Sequence, residues 1–363
     1  MKKLLLCILL VLCIPTMKVN AADYNLKNGK TMSGAYAGEE EGVYNYYKIT
    51  PSKSGYIEIT ANTSDGKKLI VDICNKDKNV IASEVAIKNK KTVLHKVNKK
   101  TVYYLRIKGT PDTTYKISYK LKTFDTLTYA KKYSYTFTNA SFSSKSNAII
   151  LKIKSSMNGN LNFMSTTDHP LMAQYLSSKK KVISNNVLLV DNNLSGIGVV
   201  ADNIYYIKLW NLEKSTKGTT TISNMKYQIK SVAKSYNSAR GTSYSLSKNV
   251  YKEALVPANK NNTYWYKVKL SQDQKVSIYI ESRILQMNGK CLQLDLYNRD
   301  GKKITSDSIK IDEESYATYQ KKKYRMNYPV KSITTGKLPA DIYYIKVVSN
   351  SKKTSGSFRI KWN

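Results

Sequence analysis

The chain has little cysteine, and this scarcity excludes a disulfide-based fold. Of its four cysteines, Cys7 and Cys13 lie in an apolar N-terminal segment, which leaves Cys74 and Cys291 for the rest of the chain. Small secreted domains that depend on disulfides carry more cysteine than this. Because Cys74 and Cys291 lie in separate apolar segments, we expect two isolated core thiols, with a single bridge between them as the alternative.

Histidine and acidic residues are also scarce, which argues against catalysis. The chain has two histidines, His95 and His169, and neither a His-Glu-x-x-His zinc motif nor a Gly-x-Ser-x-Gly nucleophile turn. Asp168 precedes His169, but neighbours in sequence seldom orient each other as a catalytic pair. The Gly-Ile-Gly at residues 196–198 is not followed by a helical pattern, as a phosphate loop requires. We therefore predict no enzyme, and paired glycosidase carboxylates or another cryptic activity are the alternative.

Long hydrophobic runs are absent beyond the N-terminus, and the one apolar segment there is short. A basic start, an apolar segment at residues 4–15 and small residues around Ala21 are typical of a secretory signal. We predict a signal peptide at residues 1–22, cleaved at Ala21, with a membrane anchor as the alternative. The product is then secreted or held non-covalently at the cell surface. Low cysteine use favours a Gram-positive-like bacterium.

Positive charge is in large excess. Lysine and arginine number 60 against 25 acidic residues, a net charge of +35 that falls by three, to +32, when Lys2, Lys3 and Lys18 are removed with the signal. Such an excess attracts polyanions over a Debye length. We expect an anionic cell-wall polymer, a glycan or a matrix protein as partner. Specific nucleic-acid binding is not expected, because no helix-turn-helix, zinc finger or RNA-binding signature is present.

Tyrosine is the dominant aromatic residue, with 30 copies against five phenylalanines and three tryptophans. It suits positions with one apolar face and one wet edge. Two interpretations are open: tyrosine replaces phenylalanine at half-buried sites, or exposed rings stack on a ligand. Where two tyrosines are adjacent in a strand, their side chains point to opposite faces, so we expect one ring of each pair to be buried.

A Tyr-Tyr phrase occurs three times, at residues 102–107, 204–209 and 342–347. Each copy is followed by a second alternating segment. Recurrence at this spacing indicates related units rather than one large catalytic domain. We assign β-sandwich units to residues 23–123, 124–232 and 233–363, the second being the most diverged.

The pattern within the units predicts an all-β fold. Short alternating segments are separated by turn signals, and no long amphipathic helical pattern occurs. Asn28-Gly29 is expected to form a tight hairpin turn, as is Asp300-Gly301. Asp72 and Asp295 lie at matching positions and are expected to accept hydrogen bonds from the adjacent turn.

The third unit contains the order Tyr-Trp-Tyr-Lys-Val at residues 264–268, Leu-Asp-Leu-Tyr-Asn-x-Asp-Gly at 294–301 and Tyr-Tyr-Ile-Lys-Val at 343–347. This order resembles the bacterial pre-peptidase C-terminal domain, whose fold is shared by the collagen-binding domains of clostridial collagenases. The resemblance implies three tandem jelly-roll-like antiparallel β-sandwiches without catalytic residues. It also implies an accessory role beside secreted enzymes, with collagen or calcium bound by some relatives.

No cofactor is expected. Some relatives place calcium ligands where residues 39–41 supply three glutamates here. Three consecutive side chains do not all point at one ion, and calcium needs about six or more oxygens. A solvated loop is therefore the preferred interpretation, and a calcium site is the alternative.

We predict a non-enzymatic binding or scaffold protein whose rings and lysine-rich loops contact the ligand. The alternative is an accessory module that docks a separately encoded secreted hydrolase, which co-purification would reveal. The candidate ligand-binding residues are Tyr46, Tyr104, Tyr206, Trp265, Tyr344, Lys180 and Lys322.

Overall fold

The structure of the protein is a computed structural model. It describes residues 23–35, 44–66, 68–87, 92–108, 114–123, 126–184, 186–189, 195–212, 214–233, 238–284, 289–311 and 330–363. The predicted signal peptide, the glutamates at 39–41 and Lys322 lie outside these residues.

In these described ranges, twenty-seven strands fall into three successive sets of nine, which we call repeats 1, 2 and 3. Repeat 1 comprises β1 Asp23–Asn25, β2 Thr31–Ala35, β3 Asn45–Ile49, β4 Gly55–Thr63, β5 Leu69–Cys74, β6 Val80–Ile87, β7 Thr92–Val97, β8 Tyr103–Lys108 and β9 Thr114–Lys122. Repeat 2 comprises β10 Thr126–Leu127, β11 Tyr133–Thr138, β12 Ile149–Lys154, β13 Gly159–Thr167, β14 Leu171–Leu176, β15 Val187–Leu189, β16 Ser195–Val199, β17 Ile204–Asn211 and β18 Thr219–Ser231.

Repeat 3 comprises β19 Tyr244–Ser245, β20 Lys252–Val256, β21 Thr263–Lys269, β22 Gln274–Ile284, β23 Gly289–Tyr297, β24 Lys303–Ile311, β25 Val330–Leu338, β26 Ile342–Ser349 and β27 Gly356–Trp362. The helices of the described residues are two single-turn 3-10 segments, Asn139–Ser141 and Arg240–Thr242.

All three repeats have the same strand order. A five-stranded sheet runs β1-β3-β8-β5-β6 in repeat 1, β10-β12-β17-β14-β15 in repeat 2 and β19-β21-β26-β23-β24 in repeat 3. The other four strands of each repeat are consecutive neighbours in a second layer, in the order β7-β4-β9-β2 in repeat 1, β16-β13-β18-β11 in repeat 2 and β25-β22-β27-β20 in repeat 3. Strands two to nine of each repeat thus form the two four-stranded sheets of a jelly roll. The prediction of three tandem β-sandwiches is confirmed.

The first strand of each repeat is a short addition at the edge of the five-stranded sheet. β1, β10 and β19 pair in parallel with β3, β12 and β21, whereas the longer strands pair antiparallel. This arrangement corrects the prediction for Asn28-Gly29. The turn forms, with the Lys30 amide donating to the Lys27 carbonyl and Gly29 at φ +77°. It is not a hairpin, because β1 and β2 belong to different sheets.

Alternation decides which side chains fill each core. Along β8 and β26, buried and half-buried residues alternate, as a period of two requires. Tyrosine contributes to the cores beside aliphatic residues, and Tyr47, Tyr175, Tyr264 and Tyr266 are among the largest fully buried side chains. In repeat 3 both Tyr264 and Tyr266 pack edge-on against Phe358, at centroid distances of 5.0 and 6.3 Å. Cys74 and Cys291 are buried free thiols.

The chain divides into two compact units. One contains the described residues up to Lys122 together with Thr216–Thr219, and the other contains Thr123–Ser215 and Thr220–Asn363. Repeats 2 and 3 therefore share a unit, and their backbones meet in a close seam. The Gly198 amide donates to Ser355 Oγ at 2.8 Å, and the Ala258 amide donates to the Gly198 carbonyl at 3.1 Å. Nearby, Asn160 Nδ2 donates to Ser357 Oγ at 2.6 Å.

Candidate functional site

The first tyrosine of each Tyr-Tyr pair is part of the core. Tyr103, Tyr205 and Tyr343 are 7%, 7% and 5% exposed. Each hydroxyl bonds to backbone four or five residues upstream. The hydroxyl of Tyr103 accepts from the Asn98 amide, that of Tyr205 accepts from the Val200 amide, and that of Tyr343 donates to the Pro339 carbonyl, all at 3.0 Å. The polar end of a buried ring is thereby satisfied, and these tyrosines are structural.

The second tyrosine of each pair faces away from the core. Tyr104, Tyr206 and Tyr344 are half-buried on the outer face of the five-stranded sheet, by which we mean the face turned away from the core. A lysine lies directly opposite each ring on the neighbouring strand. The pairs are Tyr104 with Lys48, Tyr206 with Lys152 and Tyr344 with Lys267. The expectation that one ring of each pair is buried is confirmed.

A second cation lies over each outward ring. The distance from the charged group to the ring centroid is 5.4 Å for Lys78 over Tyr104, 5.5 Å for Lys180 over Tyr206 and 5.3 Å for Arg240 over Tyr344. These distances lie within the range of a cation–π interaction. Every repeat thus presents an aromatic ring flanked by two positive charges.

In repeats 1 and 2 the second cation belongs to the hairpin turn between the fifth and sixth strands, and in repeat 3 the same turn makes room for it. Lys78 and Lys180 occupy the same turn position with left-handed backbones, at φ 61° and 56°. Repeat 3 has Gly301 there, at φ 89°. A Cβ on Gly301 would come within 2.6 Å of Arg240 Nη1, so the absence of a side chain makes room for the guanidinium over Tyr344. Lys78 and Arg240 were not among the predicted residues, and only alignment of the three turns would have indicated Lys78.

The other two predicted rings, Tyr46 and Trp265, lie on the third strand of their repeats, beside the outward tyrosines. Tyr46 is only 9% exposed, because Lys78 lies 4.4 Å above its ring and Tyr104 packs edge-on at 6.1 Å. It therefore offers little surface to a ligand. Trp265 is half-buried, with Tyr297 at a centroid distance of 5.4 Å.

A buried carboxylate lies among the cations on the outer face of repeat 1. Asp72, paired across the sheet with Arg106, is fully buried. It accepts from Arg106 Nη2 at 2.6 Å, from Lys108 Nζ at 2.8 Å and from the Glu84 amide at 2.9 Å. Burial alone would raise the pKa of the Asp72 carboxyl, but the hydrogen bonds from Lys108, Arg106 and Glu84 outweigh burial and lower it.

Asp295 occupies the matching position in repeat 3, paired across the sheet with Lys346. It accepts from Ser306 Oγ at 2.5 Å and from Gln293 Nε2 at 3.0 Å, and Lys303 Nζ lies 3.2 Å away. Burial opposes ionisation here too, but these partners lower the pKa of Asp295. The predicted role of both aspartates is corrected: they bind groups on strands of their own sheet rather than amides of the adjacent turn. In repeat 2 the same position is Gln174, paired with Lys208.

Of the predicted lysines, Lys180 is exposed. The two histidines lie apart from the aromatic positions. His95 is 4% exposed on β7 and packs edge-on against Tyr103, and the His169 amide donates to Thr167 Oγ1. Among the residues that the structure describes, no group of three or more His, Cys, Asp or Glu side chains could hold a metal ion. In the same residues, no helix is long and apolar enough to cross a membrane.

No protein-family model matches the chain, and no curated protein matches it. The solved structures with some similarity include tripeptidyl peptidase 2 (8% identity, TM-score 0.21, covering 93% of this chain and 32% of that one). They also include the tandem CBM22 modules of Paenibacillus barcinonensis Xyn10C (9%, TM-score 0.19, 93% and 98%). A third is the tandem CBM51 modules of a Streptococcus pneumoniae family 98 glycoside hydrolase (11%, TM-score 0.18, 92% and 82%). TM-scores this low do not support a structural relationship, so the jelly roll is identified from the strand order alone. The resemblance to the pre-peptidase C-terminal domain stays a prediction.

Proposed function

We propose that this chain is a secreted, non-enzymatic binding or scaffold protein that acts at the bacterial surface or on matrix. The outer faces of its five-stranded sheets bind an anionic wall polymer, a glycan or a matrix protein. One observation carries the proposal: Tyr104, Tyr206 and Tyr344 occupy the same strand position in all three repeats, each with a lysine opposite and a cation over the ring.

The chemistry of that position suits a ligand with both charge and an apolar face. The excess of lysine draws a polyanion to the surface, and lysine's hydrated point charge binds without strict geometry. The ring edge supplies short-range contact that survives when salt screens the charges. Repetition multiplies weak contacts, since engagement of one site raises the effective concentration at the next.

A pull-down on purified cell wall tests the proposal. We expect retention that persists at about 0.5 M salt, where the Debye length is only a few ångströms. Replacing Tyr104, Tyr206 and Tyr344 together by alanine should weaken retention by about tenfold or more, because an aromatic contact is worth about 1 kcal/mol. The same three positions changed to phenylalanine keep the ring and should keep most of the retention.

The control is a variant in which both Tyr129 and Tyr251 are replaced by alanine. These two rings are 41% and 40% exposed and do not belong to the three Tyr-Tyr pairs. The triple alanine, triple phenylalanine and double alanine variants are first checked to unfold in urea as the unmodified chain does. Equal loss in the control and the triple variant would reject the assigned position. Absence of retention on wall, glycan and matrix surfaces alike would reject binding.

A further inference from the structure

The five-stranded sheet of repeat 2 differs from its counterparts in charge. Its strands, β10, β12, β14, β15 and β17, contain no acidic residue. The matching strands of repeat 1 contain three, and those of repeat 3 contain two; these are Asp23, Asp72, Glu84, Asp295 and Asp307. Lysines nevertheless remain on the outer face of the repeat 2 sheet. No acidic residue in the strands of that sheet balances their positive charge, unlike in repeats 1 and 3.

The difference centres on Gln174, which stands where the other repeats have Asp72 and Asp295. Gln174 is 4% exposed. Its Nε2 donates to Asn186 Oδ1 at 3.0 Å, while its Oε1 has no hydrogen-bond partner. A buried polar atom without a partner is unfavourable, so the amide of Gln174 satisfies this position less completely than the carboxylates of the other two repeats do.

Two lysines converge beside this glutamine. Lys208 lies directly across the sheet from Gln174, and Lys145 Nζ donates to Asn186 Oδ1 at 3.2 Å. Burial and the charge of Lys145 lower the pKa of Lys208. Neither lysine forms a salt bridge with an acid in the part of the chain that the structure describes, whereas the matching Arg106 of repeat 1 is bonded to Asp72. Two like charges that repel each other, with no acidic partner among the described residues, favour binding of an anion.

We propose that Lys145 and Lys208 bind a carboxylate of an acidic polysaccharide, which supplies from outside the charge that Asp72 and Asp295 supply from within. Carboxylate is chosen over phosphate because the sister repeats satisfy the matching position with a carboxylate. A saccharide is chosen because Tyr206 lies two residues before Lys208 on the same face of β17, about 6.6 Å away along the strand. A sugar ring on Tyr206 can thus extend its carboxylate to Lys208.

This inference rests on the proposed function and names the ligand class of one of its faces. The probe is polygalacturonate, a linear uronate polymer, compared with its methyl-esterified neutral form at equal ionic strength. We expect the full chain to bind the acid form at least about tenfold more tightly, the range of a charge-assisted hydrogen bond. Lys145→Gln and Lys208→Gln should each remove most of that difference.

Gln174→Asp is the sharpest variant, because it rebuilds the internal carboxylate of repeats 1 and 3. We expect it to abolish the preference for the acid form while leaving urea unfolding unchanged or improved. Lys230→Gln is the matched control: it removes one positive charge at an exposed position of β18, in the other sheet of repeat 2. It should bind the polymer as the unmodified chain does.

The outcomes separate this inference from the proposed function. A Lys230→Gln loss equal to that of Lys208→Gln would overturn the assigned site in favour of general charge attraction. Tighter binding to polyphosphate, with the same dependence on Lys145 and Lys208, would overturn carboxylate as the ligand. Tyrosine-dependent retention on cell wall without any polygalacturonate binding would overturn the inference and leave the proposed function standing.

Discussion

His95 is an ionisable side chain held inside the protein without a charge. It lies on β7 directly opposite Ile57 and is 4% exposed. Burial lowers its pKa from 6.5 to about 4, because the charged imidazolium is poorly solvated in the interior. Its burial therefore links the stability of the fold to pH.

The sign of the pH effect follows from linkage. The unfolded chain takes up a proton on His95 below about pH 6.5, whereas the folded chain resists it until about pH 4. Stability from this residue is therefore complete above pH 6.5 and is lost as the pH falls to about 4, by an amount on the order of 3 kcal/mol. Urea unfolding measured across this window should show the decline, and His95→Leu should flatten it.

His169→Gln is the control for that experiment, since it removes the other histidine of the chain, which lies in a half-buried turn rather than in the interior. Carboxylates also titrate near pH 4, but they do so equally in the unmodified chain and in both variants. An unchanged pH slope in His95→Leu would contradict the assignment.

Prediction at the residue scale depends on whether the cause is local. The alternation of a strand placed Tyr103 inside and Tyr104 outside, and the sequence indicated that much. The cation over Tyr344 could not be predicted, because Arg240 is distant in the sequence and reaches the ring only once β19 joins the sheet. The partners of Asp72 were missed for the same reason, since β6 and β8 supply them.

At the scale of elements, the hairpin between the fifth and sixth strands sets the pairing of those two strands. It also carries, or makes room for, the cation over the outward tyrosine. In repeat 3 it closes through the Gly301 amide, which donates to the Asn298 carbonyl at 3.1 Å. The Asp-Gly signal predicted this hairpin correctly because both of its strands share a sheet. The Asn-Gly signal at residue 29 failed as a hairpin because a turn sequence fixes local dihedral angles but not the sheet to which each strand belongs.

Gly301→Ala tests this element. The left-handed backbone costs an L-residue about 1 kcal/mol, and the new Cβ would displace the Arg240 guanidinium from its place over Tyr344. We expect the free energy of unfolding to fall by roughly 1–2 kcal/mol, measured in urea. Gly336→Ala is the control, because a Cβ there meets nothing within 4 Å. Equal effects of the two substitutions would contradict the close packing of Arg240 against Gly301.

At the largest scale, the three repeats share one strand order although their sequences have diverged. The three Tyr-Tyr phrases predicted the repetition, and the resemblance to the pre-peptidase C-terminal domain implied a jelly-roll-like arrangement of strands. Repeat 2 lacks the aspartate and most of the other phrases, yet β12, β14 and β17 pair in the same manner as their counterparts. The alternation of apolar side chains is thus enough to specify the sandwich, and the polar residues on its outer face are free to differ between repeats.

The seam within residues 123–363 explains the glycine at 198, which the sequence showed only as part of an unexplained Gly-Ile-Gly. A Cβ on Gly198 would lie 2.2 Å from the Val256 carbonyl oxygen and 2.8 Å from that of Gly356. Both obstacles are backbone, so they cannot turn aside as a flexible side chain would. Repeats 2 and 3 can meet this closely only because residue 198 has no side chain.

Gly198→Ala should therefore destabilise this unit by roughly 3 kcal/mol, since overpacking of this kind forces the backbone to shift. The seam should also become accessible, because the Gly198 amide would lose Ser355 Oγ and the Ala258 amide would lose its acceptor. Urea unfolding gives the first measurement, and amide hydrogen exchange at residues 198 and 258 gives the second. Gly241→Ala, whose Cβ meets nothing within 4 Å, is the control and should change neither. If Gly198→Ala matches that control in both measurements, repeats 2 and 3 are not held together by this backbone contact.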